Sequence, residues 1–284
     1  MSHDKTAQIQ VGRIRVGRIH YVNVDPIYHG LENGLAPEWM QIKPAAPSSL
    51  NRMMAESKLD LSPVSTGAYA RHTDQWLILP DLSISCHGSV MSVLLASRYP
   101  LDDLEGRRVL ITPESGTAVL LLKLIFAIKG IHPLMTTGAV DERATPDEKP
   151  DAVMVIGDNA LSGKWNKQYP YLMDLGQEWL ALSGLPIVFA VWTVRKSFAD
   201  SHTAQIAQVI ELFRQSREMG HANLDKIITD STRKLNLPAK QMAAYFHAME
   251  YDLGEDKRRA LKTFFDELHA HGLIGQAAPL SFFS

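Results

Sequence analysis

A strand, a helix and a further strand follow one another twice along this chain, and an extended apolar segment borders each occurrence. In the first, residues 14–22 read as a strand, 27–32 as the start of a helix and 40–43 as a short strand. A helix over 48–57, which Ser48 or Ser49 can cap, then leads to the strand Leu-Asp-Leu-Ser-Pro-Val at 59–64. In the second, Arg-Arg-Val-Leu-Ile at 107–111 precedes a helix from Gly116 or Thr117 to Lys129 and the run Asp-Ala-Val-Met-Val-Ile-Gly at 151–157. That run lacks polar alternation, so it suits a strand covered on both faces. Strands alternating with helices favour parallel sheets, and the expected class is α/β, one theme used twice.

Residues 77–100 and 185–196 are extended and β-rich, and each stands where the chain must pass between the two units. Two passages make one unit discontinuous: residues 1–88 and 196–284 form a first lobe, and 89–195 a second. From about residue 203 the pattern turns helical, over 203–220, 223–234, 238–249 with Pro238 near the first helical position, and 255–272 ending at Gly272. This tail is expected against the first lobe. The proline and charge cluster at 141–150 reads as a surface loop. Two lobes joined by two extended segments, 88–95 and 188–195, leave a cleft with a hinge across it, and such clefts bind small molecules.

Composition narrows the ligand. The formal charge is −2 over 284 residues, and no block of like charge reaches five, so a surface that tracks nucleic-acid phosphates is not expected. Cys86 is the single cysteine, which excludes an intrachain disulfide; the polar opening, residues 1–10, has no basic-then-apolar pattern, and a cytoplasmic location is expected. The longest apolar stretch, 118–128, is about half the roughly 20 residues that span a bilayer, and Lys123 interrupts it; it reads as a buried helix closed by Gly130, with no membrane partner. No dinucleotide, lipase-type or zinc-protease motif occurs. Residues 157–165 place five residues between their glycines where a phosphate loop has four, and His269 and His271 face different sides of a helix end. No tightly bound metal or nucleotide is expected.

What remains is five small polar runs at strand ends or on the crossing segments: 21–26, 63–67, 83–89, 113–118 and 156–160. In open α/β sheets ligands bind at that edge. Each run taken alone is explained by turn and cap chemistry. Ser115, Gly116 and Thr117 either cap a helix or cap it and bind a carboxylate. Asp25 suits a cap for the helix that Pro26 begins, whereas Asn23 lies too early for that role and gains weight as a ligand contact. Cys86 suits a buried filler and His87 a surface histidine; Asp158 can cap the following helix or accept a ligand hydroxyl. Trp179, Phe189 and Trp192 read as core or cleft wall.

In order along the chain, residues 16–31, 59–70, 83–97, 153–161 and 174–192 make the whole recognisable. The sequence resembles the chorismate dehydratase family of menaquinone biosynthesis by the futalosine route. The resemblance implies the two-lobed fold of type II periplasmic binding proteins, a cytoplasmic location, and conversion of chorismate to 3-[(1-carboxyvinyl)oxy]benzoate and water without a cofactor. Carried over, it puts the catalytic strand-tip asparagine at Asn23. Substrate-binding positions fall at Ser65 and Thr66, on the crossing segment Ser85, Cys86, His87, Gly88 and Ser89, at Ser115, Gly116 and Thr117, and at Asp158. Family members usually have Gly-Pro-Val where this chain has Gly88, Ser89 and Val90. The strand-end runs hold only Asp25, Glu114 and Asp158 as carboxylates and His87 as an imidazole. That shortage points to the substrate's own enolpyruvyl carboxylate as the proton acceptor.

Three other readings compete with this one. The sister enzyme that makes 1,4-dihydroxy-6-naphthoate has an early loop of the type Ser-Pro-Cys-Pro-Asn-Asp-Thr, where this chain has 21–29. A solute-binding protein for a small carboxylate is expected to carry a secretion signal. A transcription-factor effector domain needs an appended DNA-binding helix pair, for which the residues before the first strand leave no room.

Overall fold

A computed structural model describes residues 13–140, 150–161 and 165–284; the expected loop at 141–149 and the polar opening lie outside the described residues. The chain begins β1 (Ile14–Ile19), a tight turn (Val22–Val24), α1 (Asp25–Gly30), β2 (Met40–Ala45), α2 (Pro47–Ala55), β3 (Leu61–Ser65), α3 (Thr66–Tyr69) and β4 (Trp76–Cys86). It continues β5 (Val93–Ser97), β6 (Arg108–Ile111), α4 (Gly116–Lys129), β7 (Leu134–Thr137), β8 (Ala152–Ile156), α5 (Gly157–Leu161), β9 (Tyr171–Asp174) and α6 (Leu175–Ser183). It ends β10 (Ile187–Arg195), α7 (Lys196–Ala222), α8 (Leu224–Leu235), α9 (Ala239–Ala248) and α10 (Glu255–Ala270).

These strands form two five-stranded sheets, ordered β2–β1–β3–β10–β4 and β7–β6–β8–β5–β9. Both are mixed, not parallel. β10 runs antiparallel to β3 and β4, and β5 antiparallel to β8 and β9. The reason is the way the chain changes sheets. Residues 87–92 lead from the end of β4 into β5, and 184–186 lead from α6 into β10, with no helix between to carry the chain back to the far edge. Each entering strand therefore starts at the facing edge and runs away from it.

This pairing moves a boundary. Residues 187–195, expected with the second lobe or as a hinge, bond along β3 and β4 and belong to the first sheet, from Ile187 opposite Cys86 to Arg195 opposite Trp76. The crossing segments are the shorter spans 87–92 and 184–186.

Local chemistry fixes several ends. α4 is capped by the Ser115 hydroxyl, which accepts from Ala118 N, and stops at Gly130 with φ 68°. α2 starts one residue before the expected serines, with Pro47 at its first position and no side-chain cap. The helical tail does more than cover the first lobe. α7 lies so close to α1 that a Cβ on Gly220 would stand 1.9 Å from Pro26 O, while Phe264 of α10 packs edge-on against Trp179 of α6, 5.6 Å between centroids. Under the first sheet, buried Asp60 is gripped by Arg15 at 2.6 Å and Arg195 at 2.7 Å. No helix among the described residues is long and apolar enough to cross a membrane.

Candidate active site

Where the ends of β1, β3 and β4 face those of β8 and the loop before α4, a cleft of about 590 Å³ lies between the sheets. Its walls are largely apolar: Ile19, Pro63, Ile84 and Phe189 from the first sheet, Val93 and Ile156 from the second, and Met249 from the tail. Its polar lining is Tyr21, Asn23, Ser65, Ser92 and Ser115. Among the described residues, no Asp, Glu, Lys, Arg or His lines it. Such a cleft can orient a ligand through neutral donors and acceptors but offers no charged side chain as an acid or base.

Asn23 sits in the tight turn after β1, whose two valines, Val22 and Val24, are buried and hold it in place. Its Oδ1 is shut off from solvent and accepts no hydrogen bond from any described residue. Leaving a buried acceptor unpaired costs about 1–3 kcal/mol, so its retention suits an atom that waits for a ligand donor.

The three serines share a different property. Ser65 Oγ accepts from Ala68 N at 3.2 Å and from the Asn51 amide at 3.0 Å, and Ser115 Oγ accepts from Ala118 N at 3.1 Å. Ser92 Oγ accepts from the Tyr245 hydroxyl at 3.2 Å. Each hydroxyl accepts at least one internal bond, and each keeps an O–H donor with no acceptor among the described residues. Three such donors around an apolar cleft can receive carboxylate or hydroxyl oxygens.

The lobes already touch at the cleft's rim. Tyr21 donates to Glu114 Oε2 at 2.8 Å, and Val22 N donates to Asp158 Oδ1 at 3.2 Å. Burial, and then Glu114, pushes the Tyr21 phenol up, so it stays a donor; burial also raises the Asp158 carboxyl, against the backbone bond from Val22. Further along, Thr117 Oγ1 donates to Phe189 O at 2.8 Å and accepts from Gly67 N at 3.1 Å, while Thr66 Oγ1 donates to Val188 O at 3.0 Å. This contact needs glycine on both sides: a Cβ on Gly67 would stand 2.7 Å from Leu120 Cδ1, and one on Gly116 2.6 Å from Ser65 Oγ.

The family model for menaquinone biosynthesis matches residues 14–270. The chain belongs to that family. It is 29% identical over 275 residues to a chorismate dehydratase from Thermus thermophilus, covering 89% of this chain and 94% of that protein. A 1,4-dihydroxy-6-naphtoate synthase from Streptomyces coelicolor is 26% identical over 245 residues, 81% of this chain and 82% of that one. In three dimensions the chain resembles the periplasmic aliphatic sulphonate binding protein SsuA from Escherichia coli, with TM-score 0.67 and 14% identity over 96% of this chain and 92% of the other. This menaquinone-biosynthesis family member thus has the α/β fold of the periplasmic binding proteins.

Within that fold, the positions expected from the sequence divide. Asn23, Ser65 and Ser115 come together in the cleft. Thr66 and Thr117 are buried in the contact between lobes, their hydroxyls taken by one another and by the backbone of 188–189. Ser85 is buried against the tail, donating to Glu250 O. Cys86 is buried with its thiol on Gly88 O, and burial pushes that thiol well up. Gly88 takes φ 103° in the crossing segment, and His87 lies exposed on the outer surface beside 184–186. Ser89 donates to Asp174 Oδ2 at 2.7 Å, a bond the family's more usual proline there cannot make. Gly116 lies behind the cleft against Ser65, and Asp158 is spent on Val22 N, although its neighbour Gly157 lines the cleft. Asp25 does not cap α1; it is that helix's first residue and pairs with Arg18 at 2.7 Å.

Sequence reasoning missed Tyr21, Ser92 and the residue that places Ser92. Asp174 caps α6 through Gly176 N and Gln177 N and also takes Val90 N and Met91 N, which pins Met91 at φ 58°. That turn delivers Ser92 to the cleft. Asp174 was legible as a helix cap just before the Leu-Gly-Gln-Glu helix start; its second set of bonds, 83 and 84 residues away, was not.

Proposed function

We propose that this chain is a hydro-lyase that converts chorismate to 3-[(1-carboxyvinyl)oxy]benzoate and water in menaquinone biosynthesis. The observation that carries the reading is the cleft's polar set: one unpaired buried acceptor, Asn23 Oδ1, and three serine donors, with no Asp, Glu, Lys, Arg or His lining the space among the described residues. Chorismate is a dicarboxylate with one ring hydroxyl. Ser65 and Ser115 suit its carboxylates, and Asn23 Oδ1 suits the hydroxyl proton. The similarity to a Thermus thermophilus chorismate dehydratase over most of both chains supports the choice of substrate.

Dehydration removes the hydrogen on the ether-bearing ring carbon and the hydroxyl on its neighbour. The C–H electron pair becomes ring π density as the C–O bond breaks, and the ring becomes aromatic. Asp25, Glu114, Asp158 and His87 all lie outside the cleft lining, so among the described residues no carboxylate or imidazole lines the space where that hydrogen would sit. The substrate's enolpyruvyl carboxylate takes the proton, which then leaves with the departing hydroxide as water. Intramolecular delivery of this kind is worth roughly 7–11 kcal/mol when the conformer is held. Asn23 and Ser92, from facing sides, hold the side chain over the ring, and the closed rim excludes water. A cytoplasmic location fits the single buried cysteine.

The test is to incubate the purified protein with chorismate and follow loss of water by chromatography and mass. Chorismate that binds but stays unchanged would favour a solute-binding protein on the same fold. Turnover at the normal rate of a chorismate analogue whose side-chain carboxylate is esterified would show that a protein base does the work.

A further inference from the structure

Among the described residues no cation lines the cleft, yet a second depression shares a wall with it. Behind Ser115, between α2 and α3 of the first lobe and α4 of the second, lies an open groove of about 1010 Å³. Arg52, Arg71, His72 and Lys123 line it, and no Asp or Glu does among the described residues. The guanidiniums of Arg52 and Arg71 are exposed and Lys123 is half-buried; none of the three has a hydrogen-bonded or ion-paired partner among the described residues. Glu56, four residues after Arg52, is paired with Lys58 at 2.6 Å and feels Arg52 only at longer range. Glu114, next to Ser115, is held toward the cleft by Tyr21.

The wall between groove and cleft is one residue thick. Ser115 lines both spaces; Asn51 lines the groove and holds Ser65, which lines the cleft, through bonds of 3.0 Å to its hydroxyl and to its backbone N. Three cations without an ion-paired partner among the described residues are thus gathered on one side of a neutral site. A field of one sign focused beside a low-dielectric cleft raises the encounter rate of an oppositely charged ligand 10- to 1000-fold by order of magnitude.

We propose that this groove is the entry port of the cleft: a cationic vestibule that collects small dicarboxylates at Arg52, Arg71 and Lys123 and passes them over the Ser65–Ser115 sill. The proposal rests on the reading of the ligand as a dianion. Recognition is then divided, with charge read outside and hydroxyl geometry read inside.

The test compares wild type with the triple variant Arg52→Gln, Arg71→Gln, Lys123→Gln, all at positions outside the cleft. The association rate of chorismate onto immobilised protein is measured at about 10 mM ionic strength, where the screening length is roughly 30 Å, and at about 1 M, where it is roughly 3 Å. The variant should associate about tenfold more slowly at low salt and equally at high salt, with kcat unchanged. The charge-retaining variant Arg52→Lys, Arg71→Lys should keep most of the wild-type rate. Equal association rates at both salt concentrations in wild type and triple variant would overturn the proposal, as would a loss confined to kcat. Because association is read without turnover, a wild type that binds chorismate quickly but never dehydrates it sinks the proposed reaction and leaves the vestibule standing.

Discussion

Replacing Asn23 by Ala should make the free protein more stable and the enzyme worse, two effects of opposite sign from one atom. In the unliganded protein Oδ1 is buried without a donor, a condition that costs about 1–3 kcal/mol. Asn23→Ala removes that acceptor, and the space it vacates opens onto the cleft, so little packing is lost with it. A net gain of about 1 kcal/mol corresponds to a rise in Tm of roughly 2 °C for a chain of this size. With substrate present the same atom has its donor, and hydrogen bonds to groups that carry or develop charge are worth about 1.5–3 kcal/mol, so kcat/KM should fall roughly tenfold to a hundredfold. If Asn23 orients the reacting side chain, most of that loss lies in kcat. Differential scanning calorimetry of the free protein and initial rates of chorismate loss measure the two halves. A variant that melts lower than wild type while keeping its kcat/KM would refute the reasoning, because Asn23 would then be a structural turn residue.

Thr117→Val preserves shape but strips the hydroxyl that joins Gly67 N to Phe189 O, so it should destabilise the protein by about 2 kcal/mol in a urea titration, and an unchanged midpoint would show that the lobes do not depend on this contact. Asp25 is raised to about 6, by burial first, with Arg18 and Lys234 opposing. Its protonated form is therefore favoured by folding, and its contribution to stability declines as pH rises from about 4 through 6; Asp25→Asn should flatten that part of the stability–pH curve, and an identical slope in the variant would place the cause elsewhere.

Sequence alone was enough for several elements and for the polar runs at the strand ends that border the cleft, because both follow from local chemistry. The unbroken apolar run at 151–157 needs cover on both faces and became β8 in the middle of the second sheet; Ser115 and Gly130 bracket α4 because a hydroxyl satisfies the first N–H groups and only glycine takes φ 68° cheaply. Asn23 stood out because its position three residues before Pro26 left it no local partner, and the structure leaves its Oδ1 without one. What the sequence left open was which hydroxyls face the cleft and which bind the lobes together. Ser115 and Thr117 are two residues apart on one helix start, yet one lines the cleft and the other is consumed by Gly67 and Phe189, 50 and 72 residues away. The same applies to Ser92, aimed by Asp174 at the end of the neighbouring strand β9, and to the reversed strands β5 and β10, whose direction depends on the chain crossing between sheets without a helix. A hydroxyl's local pattern fixes only that it needs a partner; whether that partner is a cap, the other lobe or a ligand is set by which distant backbone groups the packed lobes bring within about 3 Å of it.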